Sequence, residues 1–283
     1  MVMMESPIER TVLDVPITCF TSPAHAAAHM LHTIRNREKT YCVAINPEKV
    51  CLAREDAGFE EIVKKATFHI CDGAGTAAAV RILWGLKIPR VTGVDLFLRM
   101  LQLAEEEDLG VFLFGACPET IRRAREKLRE KHPRLRCVGY RDGYFDDRDC
   151  ESIVEQINAS KADMLFIALG SPKQERWIAR HRAQLLVPFC MGVGGSFDVL
   201  SGHVKRAPWV FRRTGTEWLY RLARQPSRWR RQIALLRFAA SVLKQRARPQ
   251  VLPENAGSDR TPGGLLGPAV PVLGETRHMD RPT

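Results

Sequence analysis

Residues 163–194 read DMLFIALGSPKQERWIARHRAQLLVPFCMGVG, and this stretch decides the fold. Two apolar runs, DMLFIALG over 163–170 and VPFCMGVG over 187–194, enclose an amphipathic pattern that predicts a helix over 172–181. Neither run alternates polar with apolar residues, so each predicts a strand covered on both faces, as in a parallel sheet. The same rhythm extends upstream: YCVAI (41–45), TFHIC (67–71), GVFLFG (110–115) and LRCVGY (135–140) predict further strands. Helical patterns over 47–65, 74–84, 94–107, 118–131 and 149–159 fill the rest. The expected fold is α/β: a Rossmann-like parallel sheet with helices on both faces, followed by a basic helical C-terminal appendage.

The chain has 283 residues, 45% of them hydrophobic and 27% charged, with a net charge of +11. Such a composition excludes collagen, coiled coil and wholesale disorder, and the length allows one large domain or two small ones. Eight cysteines are scattered without a C-x-x-C pair, several of them inside strand-like runs, and read as reduced core residues. The N-terminal MVMMESPIERTVLDVP has no apolar h-region, so no signal peptide is expected and the protein is placed in the cytoplasm. No apolar window is long enough to span about 30 Å of hydrocarbon.

The charge is unevenly distributed. Residues 1–204 hold 27 basic and 27 acidic side chains, whereas 205–249 hold 13 basic ones and a single acid, Glu217. Three of the five tryptophans, Trp209, Trp218 and Trp229, lie in that basic segment. Arg and Lys beside Trp, Leu and Phe suit a helix lying on an anionic membrane surface, with nucleic acid as the competing partner and a helical hairpin with a solvated face as the plain alternative. The last 34 residues hold five Pro, five Gly and no aromatic residue, and predict a disordered tail. The chain therefore divides into a Rossmann-like catalytic body (1–204), a basic amphipathic segment (205–249) and the tail (250–283).

In parallel α/β sheets, ligands bind outside the carboxyl ends of the strands. Four predicted strand ends carry polar or glycine residues: Asn46, Asp72-Gly73, Gly170-Ser171-Pro172-Lys173-Gln174 and Gly192-Val193-Gly194-Gly195. Asp72 is the only carboxylate at such an end in the first half; it can cap the next helix or act as a general base. Lys173 and Gln174, at a predicted helix start, can meet a phosphate or a sugar. No G-x-G-x-x-G with a following ribose-binding acid is present, which disfavours a nicotinamide enzyme, and no Walker A, H-E-x-x-H or G-x-S-x-G pattern appears either. His69 and His203 lack partners at ligand spacing and read as structural.

Read together, several motifs resemble the WecG/TagA/CpsF glycosyltransferase family. They are Asn46-Pro47-Glu48, Asp72-Gly73-Ala74-Gly75, Arg90-Val91-Thr92-Gly93-Val94-Asp95, Gly143-Tyr144-Phe145, Gly170-Ser171-Pro172-Lys173-Gln174-Glu175, Gly192 through Asp198, and Val204-Lys205-Arg206-Ala207-Pro208, in register over about 10–235. The resemblance implies a bacterial inverting enzyme that moves N-acetylmannosamine or a related hexose from a UDP-sugar to a polyprenyl-diphosphate-linked saccharide. The reaction would serve surface polysaccharide or teichoic acid synthesis, peripherally on the inner face of the plasma membrane. It makes Asp72 the catalytic base, puts Asn46, Arg90 and Gln174 around the same pocket, and places Tyr144 and Asp198 on the nucleotide side.

The family also carries a basic appendage that closes over the active site and touches the membrane. Its pattern is present as Tyr220-Arg221-Leu222, Gln225-Pro226, Arg228 and Arg231. Arg221, Arg228 and Arg231 would then hold the diphosphate through paired hydrogen bonds, with no metal or other cofactor, while Trp218 and Trp229 meet lipid. The resemblance also allows a homo-oligomer that exchanges with a membrane-bound monomer. One departure is Ala44, where many members have Thr; loss of that hydroxyl would alter donor preference or reduce activity. Two readings from other classes stay open at this level: a nucleic-acid-binding protein using 205–249, and a scaffold of a polysaccharide-assembly complex that has lost catalysis.

Overall fold

The computed structural model describes residues 6–204, 206–209, 211, 216, 220, 222 and 229–247. Among these residues, eight strands form a single sheet in the order β1-β2-β4-β3-β8-β7-β5-β6. They are β1 Ile8–Val12, β2 Val15–Cys19, β3 Thr40–Ile45, β4 Phe68–Cys71, β5 Val111–Gly115, β6 Cys137–Arg141, β7 Met164–Ala168 and β8 Phe189–Gly192. Only the β1–β2 pair is antiparallel; every other neighbouring pair is parallel. The helices are α1 Pro23–Arg35, α2 Pro47–Glu55, α3 Ala57–Lys64, α4 Ala74–Trp84, α5 Gly93–Glu106, α6 Pro118–Lys131, α7 Cys150–Ala159, α8 Lys173–His181, α9 Ser196–Leu200 and α10 Trp229–Arg246.

Buried strands project side chains alternately to two faces, and each face has its own core. Tyr41, Val43 and Ile45 of β3, Phe112 and Phe114 of β5 and Leu165 and Ile167 of β7 pack on one side under α2, α3, α4, α7 and α8. Cys42, Ala44, Leu113, Met164 and Phe166 point the other way, under α1, α5, α6 and α9. This double cover is why β5, β7 and β8 are apolar throughout.

The structure departs from the sequence expectations in four places, one of them the short helix α9, which no pattern announced. The single helix expected over 47–65 is two, because Asp56 leaves helical geometry (φ −132°, ψ 100°) and its carboxylate accepts the Phe59 N–H, ending α2 and starting α3. The hairpin β1–β2 was not expected, since its turn is Leu13-Asp14 and both residues adopt positive φ (51° and 67°), where Gly or Asn is usual. Burial of Leu13 and a 3.0 Å hydrogen bond from its N–H to Gln245 Oε1 hold that turn from outside. Helix α1 was also not expected; it starts on Ser22, whose hydroxyl accepts the His25 N–H, with Pro23 in its first turn.

Helix α10 packs against α2 and α4, and its Phe238 and Val242 enter the first core. Among the described residues, no helix is long and apolar enough to cross a membrane.

Candidate active site

Because β4, β3, β8, β7, β5 and β6 run parallel, their carboxyl ends share one edge of the sheet. Along it follow, in order, Asp72 after β4, Asn46 after β3, Gly192–Gly195 at β8, Gly170–Gln174 after β7, Gly115–Cys117 at β5 and Asp142–Tyr144 after β6. The two halves of the chain meet where β3 lies beside β8, the kind of crevice in which such sheets bind ligands.

Asp72 and Asn46 are tied together through the backbone. The Asp72 N–H donates to the Ile45 carbonyl at 2.9 Å, and the buried Thr76 hydroxyl donates to the same carbonyl at 3.2 Å. Gly75 makes the approach possible, because a Cβ on it would stand 2.7 Å from Pro47 Cγ. Helix α4 starts on Gly73, at φ 99°, a cap with no side chain to offer, and half-buried Asp72 precedes it at the rim. The Val91 N–H donates to the Cys71 carbonyl at 3.1 Å, which hangs Arg90 beside Asp72. Burial, and then the Asp72 charge, push the Cys71 thiol up to about 12, with Arg90 pulling the other way. Asn46 caps α2, its Oδ1 accepting the Lys49 N–H at 2.9 Å. Ala44 is buried, its Cβ 3.4 Å from where a Cβ on Gly93 would be, at the start of α5.

Gln174 opens α8 and is 2% exposed. Its Oε1 accepts the Gly194 N–H at 3.0 Å and its Nε2 donates to Glu175 Oε1 at 2.8 Å. The side chain lies flat over Gly192, where a Cβ would stand 2.4 Å from Nε2. The same Glu175 oxygen receives the Lys49 ammonium at 2.8 Å, in an ion pair whose side chains are 1% and 7% exposed. Glu175 and Lys49 were not predicted as site residues; the only signal was their proximity in sequence to Gln174 and Asn46. Lys173, beside Gln174, is exposed and carries its ammonium 4.8 Å from the centre of the Phe145 ring.

The candidates on the other half are more spread out. Asp198 in α9 lies at the start of α6, where its Oδ1 accepts the Thr120 hydroxyl at 3.5 Å. That helix is capped by Cys117, and its hydrogen bonds with the hydroxyl and the backbone N–H of Thr120 hold the thiol below its ordinary pKa. Tyr144 is 72% exposed beyond β6, five strand steps from Asp72 and so about 24 Å away along the edge. The structure thus gathers Asp72, Asn46, Arg90 and Gln174 near the centre and leaves Tyr144 at the far end. Arg221 and Arg228 lie outside the described residues. Arg231 lies in the first turn of α10, and its side chain lies outside them too.

Residues 10–251 match the sequence profile of a family described as "Glycosyl transferase WecG/TagA/CpsF family". The chain belongs to this family. It is also similar to the N-acetylglucosaminyldiphosphoundecaprenol N-acetyl-beta-D-mannosaminyltransferase of Bacillus spizizenii. The two are 34% identical over 244 residues, 86% of this chain and 92% of the relative. The protein is accordingly a glycosyltransferase that transfers a hexosyl residue.

In this glycosyltransferase α10 reaches the rim of the site. Leu235 Cδ1 stands 3.2 Å from a Cβ built on Gly75, and Cys51 Sγ lies 3.5 Å from the Ala234 carbonyl oxygen. Arg231 is one helical turn before Leu235, about 6 Å along the axis. Among the described residues no three His, Cys, Asp or Glu side chains gather as a metal site.

Proposed function

We propose that this glycosyltransferase moves N-acetylmannosamine or a related hexose from a UDP-sugar to a polyprenyl-diphosphate-linked saccharide, with inversion. The reaction serves surface polysaccharide or teichoic acid synthesis at the inner face of the plasma membrane. The relative from Bacillus spizizenii bears a name of this class, and its coverage of both chains supports carrying the reaction over. The observation that carries the mechanism is the placement of Asp72, Asn46 and Gln174 on the ends of strands near the central crevice.

Asp72 takes the proton from the acceptor hydroxyl as that oxygen attacks the anomeric carbon. The bond from that carbon to the UDP oxygen breaks on the opposite face, and its electron pair leaves with UDP. Asn46 and Gln174 hold the donor sugar, and Arg90 lies beside the base. Arg221, Arg228 and Arg231 hold the diphosphate as charge develops on the leaving oxygen, so that no metal ion is needed. Asp198 and Tyr144 serve the nucleotide side.

Membrane association is supported by the outer face of α10. Leu236 is 72% and Leu243 59% exposed, one heptad apart, with exposed Ala239 and Ala240 between them. Exposed Arg237, Lys244 and Arg246 flank this stripe, and the helix contains no acidic residue. An apolar stripe with basic margins favours an anionic lipid surface over nucleic acid, which has no use for exposed leucines.

The test is UDP release from a panel of UDP-sugars, with and without a short-chain polyprenyl-diphosphate-linked saccharide, in wild type and Asp72→Asn. Acceptor-dependent release from one donor, lowered by about 100- to 10,000-fold in the variant, is expected. Undiminished turnover by Asp72→Asn removes Asp72 as the base.

A further inference from the structure

Helices α2 and α8 each bring one proposed sugar-binding residue to the carboxyl edge of the sheet, and the two side chains have no hydrogen bond to each other. What joins them lies beneath. The Lys49 N–H is the group that Asn46 Oδ1 accepts, and the Lys49 ammonium reaches Glu175 Oε1 at 2.8 Å. That carboxylate oxygen in turn accepts Gln174 Nε2, also at 2.8 Å. One lysine thus contacts the Asn46 side chain through its backbone and the Gln174 side chain through Glu175.

Burial gives this chain of contacts its consequence. A lysine and a glutamate exposed by only 7% and 1% are not needed to hold a helix to a sheet, since apolar residues of similar volume do so at least as well. Among the described residues, the buried second carboxylate oxygen, Glu175 Oε2, has no hydrogen-bond partner, so the pair is not arranged for maximal stability. The carboxylate does, however, fix which way round the Gln174 amide lies. With Nε2 directed at Glu175, Oε1 must face the Gly194 N–H, and the flat Gly192 backbone leaves no third orientation.

We propose that Lys49 and Glu175 are positioning residues: their buried ion pair sets the orientation of Gln174 and locks it in register with Asn46. This rests on the reading of Asn46 and Gln174 as donor-sugar residues. Neither charged group touches substrate; both act through the amide.

The experiment compares wild type, Gln174→Ala, the double variant Lys49→Met/Glu175→Leu, and the triple combination. Removing one charge alone strands the other in the core and strongly destabilises the protein, so the pair is removed together. The double variant leaves Gln174 Nε2 without its acceptor, so its Tm is expected to fall by no more than the about 4–8 °C of one unpaired polar group, yet kcat to fall on the order of 100-fold, as for a misplaced positioning group. Adding Gln174→Ala to it is expected to cost almost nothing more. A pair that merely stabilises the fold predicts instead an unchanged kcat, or losses that multiply in the triple variant, and either result overturns the proposal. Should wild type turn over no donor at all, the functional reading fails, and a crystal structure of the double variant decides the positioning separately. Gln174 turned away from Gly194 supports it, and an amide in its original place overturns it.

Discussion

Gly192→Ala tests the packing that holds Gln174. The added Cβ would lie 2.4 Å from Nε2, 2.8 Å from Cδ and 3.1 Å from Cγ of that side chain. A comfortable carbon contact is about 3.5 Å, so the amide has to retreat by about 1 Å. It cannot do so while keeping both its 3.0 Å bond from Gly194 and its 2.8 Å bond to Glu175. Leaving one buried polar group unpaired costs about 2 kcal/mol, which in a chain of this size lowers Tm by about 4–8 °C. A displacement of this size at a substrate-positioning group costs on the order of 100-fold in turnover. Thermal unfolding and acceptor-dependent UDP release measure the two effects. The decisive comparison is made in the Gln174→Ala background, where the obstruction is gone and Gly192→Ala should lose most of its effect on both. Turnover by Gly192→Ala within about twofold of wild type would refute the reasoning, as would losses from the two substitutions that simply multiply.

Leu236→Glu/Leu243→Glu should abolish flotation with anionic vesicles while leaving Tm close to that of wild type, because both leucines face outward on α10. Cys117 should be the first of the eight cysteines alkylated at mildly alkaline pH, read by peptide mass spectrometry. Its Thr120 hydrogen bonds lower its pKa, while burial raises Cys19 and Cys190 to about 11 and Cys71 to about 12. His69, 3% exposed, donates Nε2–H to the Val63 carbonyl at 2.8 Å, and burial holds its pKa below the ordinary 6.5. Just below pH 6.5 the unfolded chain therefore binds more protons than the folded one. Stability rises with pH there and is lost as pH falls. His69→Gln should flatten the Tm profile just below pH 6.5, and an unchanged slope would assign the loss to other groups.

The body of the fold was legible because doubly covered strands cannot hide: YCVAI, VFLFG and MLFIA are apolar on both faces, and each was placed within two residues of its observed ends. What was not legible depended on contacts distant in sequence. Leu13-Asp14 reads as a turn only when Gln245, 232 residues away, supplies an acceptor. Helix α1 is a different case, since Ser22-Pro23 is a start signal present in the sequence itself. In the site, Asp72, Asn46 and Gln174 were legible as polar residues at strand ends, whereas Lys49–Glu175 was not. A charge pair between residues on separate helices has no spacing rule, and a buried lysine looks like any surface lysine until β3 and β7 are known to flank β8. The glycines show the same limit: Gly75 and Gly192 are marked in the motifs, but the atoms they make room for, Pro47 and Gln174, emerge only from packing.

The C-terminal helix shows what composition conceals. Counting charges over residues 205–249 finds a basic segment, because a sum over a helix adds its two faces together. Resolved by face, α10 carries two apolar sets. Phe238 and Val242, four residues apart and 3% and 2% exposed, belong to the core over α2 and α4. Leu236 and Leu243 look outward between basic residues. Burying the inner pair is worth about 1.5–3 kcal/mol for each side chain, enough to hold the helix to the body. A helix anchored in this way cannot present its outer stripe to a bilayer without bringing α2 and α4 with it. Of those two helices, α2 starts on Asn46 and α4 on Gly73, next to Asp72. Contact of α10 with a membrane would therefore carry the Asn46 and Asp72 end of the sheet toward that surface, where the proposed polyprenyl-linked acceptor would be held.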